Sequence, residues 1–504
     1  MEKSLQRLKA LDRELRHLGF AIAVLGWDQE TYMPDQAVEG RSEQIALLEG
    51  IAHQKGTSSE IGKLFEDLGV TEDNPLGNDS LSDFERSFLR ELFRDYNRLR
   101  KLPERLVTEM ARETSIAQSV WVRARKESDF QLFAPNLEKV LSLVREAAEH
   151  FGYNNHIYDA LIDEFEPGMK TAELEDVFTQ LESKLAPLAS QIAAEPQVRA
   201  DFLHQEFPRS EQEAFGRKIL SEIGYDFSRG RIDVSAHPFS TTLGISDSRL
   251  TTRYDEGFLN TSIFGTIHEA GHGMYEQGFS QTIRGTVLGQ GTSLGIHESQ
   301  SRSWENIIGR SLPFWKHFYP DLKRHFPGRL DDVSLLEFYR GINRVEPSLI
   351  RVEADEVTYS LHIILRFSLE LKMISGEVAV KDLPELWNAR MNELLGIVPS
   401  SNDDGVLQDI HWSMGGIGYF PTYALGNLYG AQFANRMKKD LRDLNQQIER
   451  GEFAEILAWQ RKHIHTYGRL YTAAELCQKC TGESLNPDYF VEYLAEKFSS
   501  IYGL

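Results

Sequence analysis

Residues 263–274 read IFGTIHEAGHGM. His268 and His272 are four residues apart, which on a helix puts both side chains on one face. Two imidazoles at that spacing reach a single zinc ion. Glu269, one position on, is placed to act on water beside the metal without itself ligating. The apolar Ile263, Phe264, Ile267 and Met274 support a helix, and Gly271 and Gly273 are expected to leave room near the metal. The bland alternative is a helix that happens to carry two packed or surface histidines.

A catalytic zinc takes three protein ligands and keeps one position open. The third ligand is expected downstream, on another element. A connection containing Gly285, Gly289, Gly291 and Gly295 leads into Gly295-Ile296-His297-Glu298-Ser299-Gln300, the start of a second helix. Glu298 is far enough past His272 for the chain to turn back beside the first helix. His297 is the competing ligand, and spacing does not decide between them.

Outward from this stretch, most of the chain reads as helix. Leu5, Leu8, Leu11, Leu15 and Leu18 form one apolar stripe, and so do Leu174, Val177, Phe178, Leu181 and Leu185. Asn486 and Pro487 open a last helix with Phe490, Leu494, Phe498 and Ile501 on one face. The apolar run Leu18 to Trp27 belongs to a folded helix rather than a signal peptide, since Glu2, Asp12 and Glu14 interrupt its leader. Residues 231–254 break the helical pattern. Ile232, Val234 and Ala236 alternate with polar residues, and DSRLTTRY at 247–254 reads as a second, more polar strand. The expectation is a mainly α protein with a small β-sheet just before the metal motif. Residues 1–504 form one unit, with N-terminal helices (about 1–110) lying over a cleft.

Composition narrows the partners. With 504 residues and 41% hydrophobic content, the chain can bury a large core without disulfides or structural metals. Its two cysteines fit a reducing compartment, so a cytoplasmic location is expected. A net charge of −21 disfavours nucleic acid and anionic membrane as partners. No apolar run is long enough to span a bilayer. Cys477 and Cys480 have the spacing of half a metal or redox site, but nothing nearby completes it, and they read as ordinary thiols.

Several further motifs stand in a fixed order. They are GWDQETYMP at 26–34, HPF at 237–239, DSRLT at 247–251, HEAGH at 268–272, HESQ at 297–300, IRVEAD at 350–355 and GVLQDIHW at 405–412. Together they resemble the carboxypeptidase Taq family of metallocarboxypeptidases along nearly the whole chain, with no departure at any motif position. The resemblance implies a large helical, neurolysin-like fold with a deep cleft, a homodimer, and broad removal of C-terminal amino acids from peptides. It implies one zinc ion per chain, with cobalt as a possible substitute, and favours Glu298 over His297 as third ligand.

It also suggests substrate contacts. Zinc would acidify its water and polarise the scissile carbonyl, and Glu269 would take the water's proton. Arg351, in the IRVEAD segment, is the candidate for holding the substrate carboxylate, because a guanidinium grips that group with two hydrogen bonds. Its structural alternative is a pair with Glu353, Asp355 or Glu356. Arg249 is the runner-up, though the DSRLT segment has a second reading as an edge strand that pairs with the peptide backbone. His411 and Tyr423, the latter over Tyr419, are the candidates for donating to the oxyanion, and His237 for a further substrate contact. Asp409 is a weak candidate for orienting His411. Two rival functions are an endo-oligopeptidase on a similar fold and a non-catalytic metal-binding homologue.

Overall fold

The computed structural model describes all 504 residues, as twenty α-helices, short 3-10 turns and one three-stranded sheet. Helix α1 spans Glu2–Thr31 and takes in the whole Leu18–Trp27 run. Its leucine stripe is buried at Leu5, Leu8 and Leu11 and only partly so at Leu15 and Leu18. Helix α2, Val38–Gly56, pairs with α1 and buries only Gly56. The other two stripes seat as expected: Leu174, Phe178, Leu181 and Leu185 are buried, as are Phe490, Leu494, Phe498 and Ile501. The last helix starts one residue later than expected, at Asp488 with Pro487 before it, and the Asn486 side-chain oxygen accepts from the Asp488 N–H at 2.9 Å. No helix is long and apolar enough to cross a membrane.

The sheet contains β1 (Ile232–Val234), β2 (Ser240–Gly244) and β3 (Asp247–Thr252) in the order β1-β3-β2. β1 runs parallel to β3, with Ile232 opposite Leu250. β2 runs antiparallel to it, with Thr241 opposite Arg249 and a register shift between Thr242 and Gly244. Two expectations change here. β3 carries the DSRLT segment and is the central strand, so its hydrogen bonds are taken on both sides and it cannot pair with a peptide. Val234 is 38% exposed and Ala236 lies beyond the strand, so β1 does not present one apolar face.

The HEAGH helix, Leu259–Gln277, packs on β3. Thr252 and Thr266 share a hydroxyl–hydroxyl bond of 2.8 Å across that interface. Gly273 is what lets the two approach: a Cβ there would stand 2.8 Å from Leu250 and 2.9 Å from Tyr225. Gly271 does the same on the opposite side, where a Cβ would stand 2.6 Å from the Ser301 Cα and 2.7 Å from the Gln300 carbonyl oxygen. These glycines make room for neighbouring elements rather than for a metal.

The second site helix, Leu294–Arg302, starts at Ser293, whose hydroxyl accepts from the Ile296 N–H at 3.0 Å. It lies between the HEAGH helix and the Pro421–Asp440 helix, and continues as a π-helical turn over Ser303–Ile308. α1 reaches the sheet from outside. Trp27 meets Phe239 edge-on with centroids 5.5 Å apart, and the Tyr32 hydroxyl bonds Asp233. Cys477 and Cys480 are buried free thiols, both pushed up to about 12 by burial.

Candidate metal centre

The Nε2 atoms of His268 and His272 lie 3.6 and 3.4 Å from Glu298 Oε2, and one donor atom from each of the three residues falls within 4.8 Å of the others. Both imidazoles turn Nε2 inward because Nδ1 is engaged elsewhere. His268 Nδ1 is 2.8 Å from Glu305 Oε2. His272 Nδ1 is 2.6 Å from His297 Nδ1, and His297 Nε2 is 2.9 Å from Glu276 Oε1. The Thr242 hydroxyl of β2 donates to the other Glu276 oxygen at 3.0 Å. His297, the competing ligand in the sequence, therefore stands behind His272 rather than beside it. Arg302 Nε donates to Glu298 Oε1 at 2.8 Å, which leaves Oε2 facing the histidines.

Two imidazole nitrogens and one carboxylate oxygen, with their outer partners in place, are the donor set of a catalytic zinc site. The electrostatics fit a cation too. Burial pulls His268 down, but Glu298 and Glu305 overcome it and hold the ring up at about 9. Burial keeps His272 down at about 3. Glu298 and Glu305 thus surround the imidazoles with negative charge that a bound cation would offset.

Glu269 is one residue from His268 and accepts no hydrogen bond from the protein. Burial, with Glu298 adding to it, raises its carboxyl to about 7 against the opposing pull of His268. A group poised there exchanges protons readily at neutral pH.

A second polar cluster adjoins the first. Arg302 stacks over the Tyr359 ring at 4.4 Å, and the Tyr359 hydroxyl accepts from Arg351 Nη1 at 2.9 Å. Arg351 also donates to Asp409 Oδ1 from Nε at 3.1 Å and Nη2 at 2.7 Å. Its partner is thus Asp409, not Glu353, Asp355 or Glu356. Three of the five guanidinium N–H bonds are taken, which leaves one on Nη1 and one on Nη2. His411 Nε2 is 3.2 Å from the Tyr423 hydroxyl, and Arg351 lies over the Tyr423 ring at 4.9 Å. Asp409 stands 3.9 Å from His411 Nδ1, too far to orient it. Tyr419 packs on Tyr423 with centroids 5.3 Å apart.

Two expected residues stand apart from both clusters. Arg249 is bound side-on by Asp247 in two 2.8 Å contacts and lies over Trp27. His237 is exposed in the turn between β1 and β2, its carbonyl held by the Ser235 hydroxyl. Sequence reasoning missed Glu305, the Glu276–His297 pair and Tyr359. Glu305 alone had a signal, since it follows Glu298 at helical spacing.

The sequence pattern of the carboxypeptidase Taq (M32) metallopeptidase family matches residues 7–498, and the chain belongs to that family. It is 43% identical to thermostable carboxypeptidase 1 of Thermus thermophilus, over 100% of this chain and 99% of that one. The structure of the M32 carboxypeptidase from Deinococcus radiodurans superposes with a TM-score of 0.96 at 38% identity, covering 100% of both chains. The Pyrococcus furiosus carboxypeptidase, in its Apo-Mg structure, gives 0.94 at 40% identity over 99% of each. The chain is a metallocarboxypeptidase, an enzyme of the metal-dependent peptide hydrolases.

Proposed function

We propose that His268, His272 and Glu298 hold one zinc ion, with cobalt as a possible substitute, and that the enzyme trims amino acids of many kinds from the free C-terminus of peptides. The observation that carries this is the convergence of two Nε2 atoms on Glu298 Oε2 while each Nδ1 is engaged behind. A metal held there would acidify water and polarise the scissile carbonyl.

The protein's own groups do the rest. Glu269 takes a proton from the attacking water and returns it to the leaving amine. Arg351 offers its free Nη1 and Nη2 hydrogens to the substrate's C-terminal carboxylate. Tyr423, with His411 bonded to its hydroxyl, donates to the oxyanion as it forms. His237 and Arg249 would touch the peptide from the side of the sheet. The N-terminal helices (about 1–110) are proposed to lie over the cleft, the working form to be a homodimer, and the location to be the reducing cytoplasm, which suits two unpaired buried thiols.

Glu269→Gln tests the core of this reading. The variant should keep its metal, measured by atomic absorption, and lose about 10²- to 10⁴-fold in the rate of amino-acid release, the range of a lost general base. Full activity would contradict the assignment.

A further inference from the structure

Asp409 is shared between two arginines. Arg351 holds its Oδ1, and Arg366 holds its Oδ2 through Nε at 2.7 Å and Nη2 at 2.5 Å. Arg366 lies on the Tyr359–Ser375 helix and has no exposed surface. Its guanidinium packs against the Trp387 ring at 4.6 Å, and Nη1 donates to the His362 carbonyl at 2.8 Å. It is therefore out of a substrate's reach. One arginine is enough to neutralise one buried carboxylate, and burying a second guanidinium carries its own desolvation penalty. The surplus cation calls for a reason.

The charges around it can be assigned. Burial, aided by Arg351, lowers Arg366 to about 10, so it stays charged at neutral pH. Although burial opposes both shifts, Arg351 is raised above its ordinary value by Tyr359 and Asp409, and the two arginines hold Asp409 well below the usual carboxylate range. Burial pulls His362 and His411 down to about 3 and about 4, so both rings are neutral. The next carboxyl along the helix, Glu370, is turned to the Tyr158 hydroxyl, the Trp412 indole N–H and the Gly418 N–H, and burial raises it to about 7. The Arg351–Asp409–Arg366 group thus carries one net positive charge, and the N–H bonds left free on Arg351 face away from Asp409.

We infer that Arg366 is the positioning residue for the substrate's α-carboxylate: by neutralising Asp409 it lets that carboxylate fix the Arg351 fork without cancelling its charge. The inference rests on Arg351 as the carboxylate clamp. A lone Arg351–Asp409 pair would be neutral and would draw an acid little better than an amide. With Arg366 present the clamp is rigid and cationic at once, and its preferred ligand is a planar monoanion such as a peptide terminus.

Steady-state kinetics on one peptide and its C-terminally amidated copy test this. Arg366→Met removes the charge and leaves Asp409. KM for the free acid should rise on the order of 10- to 100-fold, the loss of one charge-assisted contact, with kcat changing far less. Arg366→Met with Asp409→Asn restores one net positive charge and should recover most of the preference for acid over amide. Arg366→Lys should stay within a few-fold of the parent. A purely bracing role for Arg366 leaves the double variant no better than the single one, and that result overturns the inference. If Arg366→Met does not fold, the double variant, which keeps one net positive charge on Arg351, decides alone: retained acid preference supports the inference and lost preference overturns it. Arg351→Ala separates the two layers. If it keeps the acid preference, the clamp itself is wrong. If it abolishes the preference while Arg366→Met leaves KM unchanged, only Arg366's role falls.

Discussion

At the scale of single residues, the centre depends on what stands behind each proposed ligand. His268 presents Nε2 because Glu305 occupies its Nδ1, and His272 does so because His297 and Glu276 stand in line behind it. Glu305→Gln should therefore weaken metal binding about 10- to 100-fold, the usual effect of losing an outer partner, with helix content unchanged. Competition against a chromogenic chelator measures this, and an unaltered affinity would show that Glu305 does not orient the ring. The histidine pair was legible in the sequence because helical periodicity alone puts the two on one face. Glu298 could not be separated from His297 by spacing, since neighbours on a helix both sit near the turn and only the backbone direction decides which one points inward. Glu305 follows Glu298 at helical spacing, but it hangs on a π-helical turn that no periodicity announces. Arg366 and Asp409 meet across 43 residues, through packing that no local pattern records.

At the scale of elements, the site is set by how closely the HEAGH helix approaches the Glu298 helix on one side and the sheet on the other. Gly271 measures the first approach. Intrinsic helix propensity favours Ala over Gly by about 1 kcal/mol, yet a methyl at this position meets the backbone of Gln300 and Ser301. Gly271→Ala should thus be destabilising by about 1–3 kcal/mol, an overpacking penalty, and should lower metal affinity because the helix pair spreads. Thermal unfolding with a parallel metal titration checks both effects, and a stabilised variant would mean the two helices are not in fixed contact. The sheet was half legible. β1 and β3 showed in composition, whereas β2, with only Leu243 of its residues buried, has no alternation to read. The strand order was beyond the sequence. It turns DSRLT into a centre strand and commits Arg249 to Asp247.

At the scale of the whole molecule, remote carboxyls tie the site to the fold. α1 holds the glycine-rich connection through Asp12, whose Oδ2 accepts from the Val287 N–H at 2.9 Å. Glu166 holds the start of the Glu298 helix by accepting from the Gly295 N–H at 3.1 Å, while its other oxygen has no partner. Burial raises Glu166 from 4.5 to about 7. The folded chain then keeps a proton that the unfolded chain has shed, so this group's stabilising effect is complete below about 4.5 and is lost as pH rises through about 7. Glu166→Gln should gain on the parent by up to about 3 kcal/mol at pH 8 and by much less at pH 5, since each tenfold change in proton affinity is worth roughly 1.4 kcal/mol. Denaturant midpoints of both proteins at the two pH values give the comparison, and a pH-independent difference would put the proton elsewhere. The helical class, the metal helix and the order of the motifs could all be read along the chain. The cluster that joins Glu298 through Arg302, Tyr359 and Arg351 to Asp409 could not, because beyond the Glu298–Arg302 pair on one helix every link crosses between elements. That cluster is where recognition of a chain end would reside, and one comparison tests it most directly: kcat/KM of the metal-loaded enzyme on a peptide with a free C-terminus and on the same peptide amidated. We expect stepwise release of C-terminal residues from the acid and a rate at least on the order of 100-fold lower on the amide, the worth of a lost bidentate, charge-assisted contact. Equal rates on the two would contradict the carboxylate clamp at Arg351.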